Sequence, residues 1–352
     1  MNPALPKDWV HKYRRKSGVK ISNLSSLFNK KIEAVIVVDI SSHLRLLDVH
    51  LGANPKVKAI NVIELPADKK DDIILASLRD FIGKNNILHK NVILKPCLKS
   101  FFAKRIELPA IPKAELPEAV KLKLRSDSPI DLSTAALDFS IVREVAKNDG
   151  SKTLDIICVA APVQEIKEQV FLLKQLGLVC LAVGLLPWGY ANIIARFLKQ
   201  EDNQAIGVVH MEDNSCYICV YKNNRLDFYR ELPITVDKLR ESLSGMLITG
   251  TGKVQLGNDE INKILFEQGI PTEANQILAM LRPDLERLGQ EIKRSLAYYD
   301  SQFQGGAVNR ILVGGLGAKI PNIDTCLAAE CSLNIQRISL LDIDKSLSLI
   351  HI

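Results

Sequence analysis

The spacing of apolar residues predicts strands and helices that alternate along most of the chain. Three apolar runs, at 34–40, 44–51 and 57–65, are separated by turn-forming residues and predict a meander of strands. In 71–83 the apolar residues recur at helical spacing, which predicts an amphipathic helix. After a stretch punctuated by four prolines, the segment 154–186 predicts a strand, a helix and a further strand. This order of elements is typical of an α/β fold.

The meander pattern returns in the second half of the chain, where further apolar runs occupy 205–210, 215–221 and 225–232. The segments VIVVDISS around Asp39 and IGVVHMED around His210 are 171 residues apart, about half of the 352-residue chain. Such a repeat predicts two similar lobes facing each other across a cleft, unless the two meanders resemble each other by coincidence. The other elements predicted for this half are helices at 258–268, 283–303 and 321–331 and strands at 311–313 and 334–338.

The composition along the chain predicts a terminal arm followed by two structural lobes. The first is a basic N-terminal arm at 1–31, and the second is a lobe at 32–200. The proline-punctuated segment at about 101–180 is predicted to be a small subdomain inserted into that lobe. A polar linker precedes the third part, a second lobe at 201–352.

The net charge of +6 is concentrated in the arm, which holds eight Lys or Arg residues against one Asp. The rest of the chain carries 38 basic and 39 acidic residues, so it lacks the positive footprint of a nucleic-acid-binding domain. The arm is either a solvated tail or a contact with anionic lipid or an acidic partner. The longest uncharged apolar run, at 176–190, has 15 residues and contains Pro187. An integral membrane span needs about 20 apolar residues, so none is predicted.

The cysteines and histidines do not indicate a metal site or a catalytic centre. Most of the seven cysteines lie in apolar runs, as expected for buried thiols in a reducing compartment. Cys216 and Cys219 form one C-x-x-C motif, but its spacing places the two side chains on opposite faces of a strand. His43 and His210 are interpreted as structural residues. We therefore predict no metal site, and these residues give no support for catalysis, which leaves enzymatic activity open.

Two short segments have the composition of phosphate-binding loops. In the first, a strand ends at Asp39 and a turn with Ser41 and Ser42 follows. Small residues at such a turn let backbone N–H groups approach a phosphate, and the carboxylate can organise a metal ion. In the second, a strand leads into Gly314, Gly315 and Gly317. Glycine at a strand-to-helix turn can also be required by packing alone.

The ordered set of motifs resembles the PilM family of type IV pilus assembly proteins, which is related to the FtsA branch of the actin/Hsp70 superfamily. The resemblance spans about residues 34–340. It implies a two-lobed, actin-like α/β ATPase fold with an inserted small subdomain in the first lobe. It is carried by LPAIPKAELPEAVKLKLRSDSPIDLSTAALDFSIV, by DIICVAAPVQEIKEQVFLLKQLGLVCLAV, by the strand triple at 205–233, by EIKRSLAYYDSQF and by VNRILVGGLGAKIP.

The resemblance also implies a function. A family member would be cytoplasmic and peripheral at the inner membrane, and it would bind the cytosolic N-terminal tail of a PilN-type inner-membrane protein. It would link that protein to the pilus motor ATPase. The tail would lie in a groove between the inserted subdomain and the first lobe, unless the residues assigned to the groove are ordinary subdomain core. Those residues are Lys121, Leu124, Ile130, Leu132 and Phe139.

The chain departs from the family at both phosphate loops. The Asp-x-Gly motif of the first loop becomes Asp39-Ile40-Ser41, and a serine is strained at a position that requires a positive φ unless the loop has another shape. In the second loop, Glu212 and Asp213 follow His210, so two carboxylates stand where a polyphosphate would lie. A like-charge pair at about 4 Å costs roughly 4 kcal/mol at an effective dielectric constant of 20.

These departures predict weak or absent ATP binding, with no cofactor as the expectation and ATP with Mg²⁺ as the alternative. The chain ends at His351-Ile352, without the apolar helix that family members usually place beneath the nucleotide. Either the chain is truncated or the lobe is completed differently. Three hypotheses follow: a scaffold that binds a partner peptide, an ATP-binding switch of the same machinery, and an actin-like membrane tether of the FtsA type.

Overall fold

The computed structural model describes residues 32–41, 43–51, 56–66, 70–98, 101–147, 149–197, 204–249, 252–303 and 306–338. The arm at 1–31, Ser42, most of the linker at 201–204 and the chain end at 339–352 lie outside the described residues. The chain divides into two compact units between Gly189 and Tyr190, and each unit is described by itself.

The first unit contains a five-stranded sheet and a smaller three-stranded sheet. In chain order its elements are β1 (Ala34–Ile40), β2 (His43–His50), β3 (Lys56–Glu64), α1 (Lys70–Lys84), β4 (Asn91–Lys95), β5 (Phe102–Pro109), α2 (Leu116–Leu124), β6 (Ala135–Ala146), β7 (Lys152–Pro162), α3 (Val163–Gln175) and β8 (Val179–Val183).

The five-stranded sheet has the order β3-β2-β1-β4-β8. The first three strands form the antiparallel meander predicted from the sequence, and β4 and β8 then pair in parallel. Helices α1 and α3 pack their apolar stripes, which include Ile74, Leu78 and Ile166, against the buried residues of this sheet. One apolar core therefore supports the end of β1, where the first loop begins.

The inserted subdomain is an antiparallel sheet of order β5-β7-β6 with helix α2. Leu116, Val120 and Leu124 form the buried face of α2 and pack with residues of the three strands in a separate core. At its end β7 runs directly into α3, and Ala161 there is already part of the first core. The subdomain is thus joined to the lobe through a shared strand end.

The second unit repeats the strand order of the first lobe. Helix α4 (Leu186–Phe197) runs across the division between the units. The sheet order β11-β10-β9-β14-β15 again places an antiparallel meander beside two parallel strands, which confirms the predicted duplication. The elements are β9 (Ala205–Met211), β10 (Cys216–Lys222), β11 (Arg225–Glu231), α5 (Val236–Leu243), β12 (Met246–Thr249), β13 (Gly252–Gln255), α6 (Asn258–Lys263), α7 (Gln276–Phe303), β14 (Val308–Gly315), α8 (Ile323–Cys331) and β15 (Asn334–Arg337).

One helix boundary predicted from the sequence is wrong. Proline favours the first turn of a helix, so Pro283 was expected to begin the long helix. The structure instead starts α7 at Gln276 and keeps Pro283 inside it. The buried side chain of Leu281 packs in the core of the unit, so tertiary packing holds the extra turns despite the proline.

Candidate functional site: two loops and an inserted subdomain

In the first unit, Asp39 lies at the end of β1 and is held by cations from the strands on either side. Its register partners are Arg45 on β2 and Lys95 on β4, so the three side chains share one face of the sheet. Lys95 Nζ donates to Asp39 Oδ1 at 2.7 Å, and Arg45 Nη1 donates to Asp39 Oδ2 at 3.2 Å. The carboxylate is therefore already neutralised within the chain.

The turn after β1 is closed by Ser41. Its backbone N–H and its Oγ both donate to the carbonyl of His43, at 3.0 and 3.1 Å. Arg45 Nη1 donates to Ser41 Oγ, and Lys70 Nζ donates to the Ser41 carbonyl. Ser41 is not among the residues with positive φ, so the loop has another shape and the expected strain is absent.

The charge at this first loop is positive. Arg45 and Lys95 both contact the Asp39 carboxylate, and a third cation, Lys70, contacts the Ser41 carbonyl of the same loop. Such a group can attract an anion, and Asp39 would have to exchange an existing ion pair before it could organise a metal ion. Neither Arg45 nor Lys95 was identified from the sequence. The pairing of Arg45 with Asp39 could have been predicted from the sequence, because the two residues lie on either side of the same tight hairpin turn.

In the second unit, the two acidic residues that follow β9 are paired within the chain. Glu212 Oε1 lies 3.2 Å from His210 Nε2, and Tyr190 Oη lies 2.7 Å from His210 Nδ1. Arg240 Nη1 donates to Asp213 Oδ1 at 2.7 Å. The electrostatic repulsion expected from two bare carboxylates is therefore reduced by these partners.

The backbone of this second loop is closed by hydrogen bonds. The N–H of Glu212 donates to the carbonyl of Ser215 at 2.8 Å. At the start of α5, the N–H groups of Val236 and Asp237 donate to the carbonyls of Glu212 and Asp213. These helix N-terminal amides are the groups that could otherwise have bound a phosphate, and the loop itself uses them.

The glycine turn after β14 is packed against protein atoms. A Cβ atom on Gly314 would lie 2.1 Å from Tyr190 Oη, and one on Gly317 would lie 2.7 Å from Met211 Cβ. Gly315 has φ +73°, and a Cβ there would lie 2.5 Å from the carbonyl oxygen of Met211. Burial raises the pKa of Tyr190 far above its usual range, so its hydroxyl stays protonated. Packing inside the unit is thus sufficient to explain these glycines.

The residues assigned to a partner groove occupy different depths in the inserted subdomain. Leu124 and Leu132 are buried in its core. Ile130 is half-buried, and Phe139 is half-buried against the same core. Lys121 is exposed on α2. A partner at this surface can therefore contact Lys121, Ile130 and Phe139 directly, whereas Leu124 and Leu132 support the surface from below.

Within the described part of the chain, no helix is long and apolar enough to cross a membrane. The C-x-x-C pair lies in β10, where both Cys216 and Cys219 are buried. Burial raises the pKa of both thiols well above their usual range, which makes them poor nucleophiles and poor metal ligands.

Comparison with known proteins agrees with this architecture. A solved structure titled as the PilM-PilN type IV pilus biogenesis complex matches with a TM-score of 0.72 and 17% identity, covering 90% of this chain and 92% of that one. The chain is also similar to MreB 5 of Spiroplasma citri bound to AMPPNP, with a TM-score of 0.52 and 9% identity over 92% of this chain and 97% of that chain. At these identities the likeness shows the fold, which is two-lobed and actin-like.

The sequence profile of a family described as "Type IV pilus assembly protein PilM" matches residues 28–343, and the chain belongs to that family.

Proposed function

We propose that this chain is a docking scaffold of the type IV pilus assembly machinery. It binds the cytosolic N-terminal tail of a PilN-type inner-membrane protein, which holds it at the cytoplasmic face of the inner membrane within reach of the pilus motor ATPase. The observation that carries this proposal is the likeness, over 90% of the chain, to a protein solved in a PilM–PilN complex. Membership of the pilus assembly family supports it independently.

We propose that the partner's tail binds on one side of the inserted subdomain. This side is formed by β6 and by the loop that connects α2 to β6. Strand β6 is at the edge of its three-stranded sheet, and an edge strand can accept an extended peptide through main-chain hydrogen bonds. Ala136 packs against the core of the first lobe, while Phe139 packs against the core of the subdomain. Strand β6 therefore spans the junction at which the groove is expected.

Lys121 and Ile130 extend this surface. Lys121 is in the last turn of α2, directly before the loop that connects α2 to β6. Hydrogen bonds from Ser133 are the main cause that lowers the pKa of Asp131 in this loop, and the charge of Lys121 acts in the same direction. Ile130 precedes Asp131 in the same loop. The surface thus combines half-buried apolar side chains with a cation, which suits an amphipathic peptide.

We further propose that docking does not depend on ATP. Asp39 is engaged by Lys95 and Arg45, and the N-terminal amides of α5 are engaged by the second loop. Tyr190 and Met211 pack so closely against the glycines at the end of β14 that packing alone explains why glycine is required there. These contacts would have to be broken or rearranged before a nucleotide could use the same groups.

The proposal is tested by titrating the full chain with a synthetic peptide of the partner's cytosolic tail in a calorimeter. We expect saturable binding that weakens at least tenfold in Lys121→Glu and in Ile130→Asp. The matched control is Lys123→Glu, which reverses the same charge on the same helix. Because each residue turns the helix by about 100°, Lys123 is about 200° from Lys121 and lies on a different face. Equal affinity for all variants, or no binding by the folded wild type, would refute the docking assignment.

The role of nucleotide is tested in the same samples. We expect Mg-ATP to leave the melting temperature and the peptide affinity unchanged. A saturable rise in melting temperature, accompanied by a change in peptide affinity, would instead establish the ATP-binding switch.

A further inference from the structure

Three side chains of metal-ligating type meet at the end of β2 in the first unit. Asp48 and His50 belong to β2, and His89 lies in the connection between α1 and β4. Asp48 Oδ1 is 2.9 Å from His89 Nε2, and Asp48 Oδ2 is 3.6 Å from His50 Nε2. One potential ligand atom from each residue lies within 4.8 Å of the other two.

The local fold places these residues together. Side chains alternate along a strand, so Leu44, Leu46, Asp48 and His50 share one face of β2. Leu44 and Leu46 are fully buried in the core of the lobe, and Asp48 follows them with only 6% of its surface exposed. Ile87 anchors the α1–β4 connection in that same core, and His89 follows two residues later. The cluster is therefore built on two supported elements.

The ligand chemistry is specific. Two imidazoles and one carboxylate form a set that suits zinc and related transition-metal dications, and catalytic zinc sites use three such ligands with an open fourth position. A tetrahedral ion with ligand bonds of about 2.0–2.2 Å separates its ligand atoms by roughly 3.4 Å. His89 Nε2 lies 2.9 Å from Asp48 Oδ1 and His50 Nε2 lies 3.6 Å from Asp48 Oδ2, so each histidine faces its own carboxylate oxygen. One ligand atom from each residue lies within 4.8 Å of the others, so small side-chain adjustments bring all three to the separation that an ion requires.

The surroundings of the cluster also favour a cation. The Asp48 carboxylate is almost fully buried, and its described polar partners are His89 and His50. Neutral histidines leave such a charge uncompensated, whereas a dication offsets the desolvation of the carboxylate.

We propose that Asp48, His50 and His89 bind a divalent transition-metal ion of the zinc class. The ion ties the α1–β4 connection to the end of β2. The His50 side chain is 50% exposed, so solvent reaches the cluster, and water or a ligand from a partner can complete the coordination of the ion.

The test uses the full chain after chelator treatment. Zn²⁺ is titrated in a calorimeter, and Co²⁺ is followed by visible absorption, because its d–d bands report nitrogen and oxygen ligands while a thiolate charge-transfer band reports cysteine. The test variants are His50→Ala and His89→Ala. The matched control is His43→Ala, which removes a histidine from the opposite end of the same strand.

We expect one equivalent of Zn²⁺ to bind the wild type and His43→Ala and to raise their melting temperatures. Affinity should fall at least tenfold in both test variants. His50 is half-exposed, so its replacement should leave the metal-free protein folded. Unchanged binding in His50→Ala, binding only with a thiolate signature, or no binding to the wild type would each overturn the site.

Discussion

At the scale of single residues, the glycine turn shows why a motif can be visible in the sequence while its cause is not. The run Gly314-Gly315-Leu316-Gly317 is compatible with both a phosphate loop and a packing requirement. The structure supplies Tyr190 and Met211 as the neighbours of these glycines, and both come from elements far away in the chain. No local pattern indicates that a tyrosine hydroxyl will occupy the space beside Gly314.

Replacing Gly314 with alanine should therefore destabilise the protein without any ligand. The new Cβ would lie 2.1 Å from Tyr190 Oη and 2.9 Å from Tyr190 Cζ, so the ring has to move. Overpacking of this kind costs about 1–3 kcal/mol. The measurement is the urea midpoint of Gly314→Ala relative to the wild type.

Two variants accompany this measurement. Gly83→Ala is the matched control, because a Cβ on Gly83 in α1 meets nothing within 4 Å, and alanine should stabilise that helix by up to about 1 kcal/mol. Tyr190→Phe removes the nearest clashing atom, so the double variant should lose less stability than the two single variants combined. Strict additivity would contradict the proposed contact.

At the scale of elements, the alternation of apolar and polar residues predicts a strand when its buried positions are apolar. It misses a strand in which a charged residue is buried. The first three strands agree with the sequence prediction to within one residue at each end. Strand β5 was not predicted, because Lys104, Arg105 and Glu107 interrupt its apolar run. Arg105 is nevertheless buried, because its charge is met by Asp155 on the neighbouring β7.

Asp155 ties together all three strands of the inserted subdomain. It accepts a hydrogen bond from Arg105 Nη2 on β5 at 2.6 Å and from Arg143 Nε on β6 at 2.5 Å. The Arg105 side chain is only 2% exposed, so it depends on this carboxylate for compensation. Asp155→Asn should therefore destabilise the protein by about 3–5 kcal/mol, measured by urea unfolding.

The matched control for this prediction is Glu144→Gln. It removes the same charge from the pair that Glu144 forms with Lys152, whose side chains are 50% and 60% exposed. Exposed pairs of this kind contribute little to stability, because solvent screens them, so the control should resemble the wild type. If Asp155→Asn unfolds at the same urea concentration as this control, the carboxylate does not hold the subdomain together.

At the scale of the whole molecule, the duplication was predictable because each half opens with the same meander pattern. The sheet orders β3-β2-β1-β4-β8 and β11-β10-β9-β14-β15 bear this out. The charge at the candidate loops was less predictable, since much of it depends on pairs between residues that are distant in the chain, such as Asp39 with Lys95 and Asp213 with Arg240. Glu212 and Asp213 read as bare acids in the sequence, but His210 and Arg240 pair with them in the structure.

The distribution of charge over the whole chain makes a further prediction. Residues 1–31 hold eight basic side chains against one acid, while the remainder is almost neutral. Near an anionic membrane each Lys or Arg contributes about 1 kcal/mol at most, and the attraction falls within a Debye length. The full chain should therefore float with phosphatidylglycerol vesicles at low salt, and a chain lacking residues 1–31 should remain at the bottom of the gradient.

Three comparisons separate this electrostatic attachment from other causes. A variant with the eight basic residues replaced by glutamine keeps the length of the arm and should behave like the truncated chain. Neutral phosphatidylcholine vesicles should not bind the full chain, and raising the salt to about 0.5 M should release it from anionic vesicles, since the Debye length then falls well below 10 Å. Because no partner protein is present in the assay, flotation of the truncated chain would place the membrane contact in the folded body and refute the assignment to the arm.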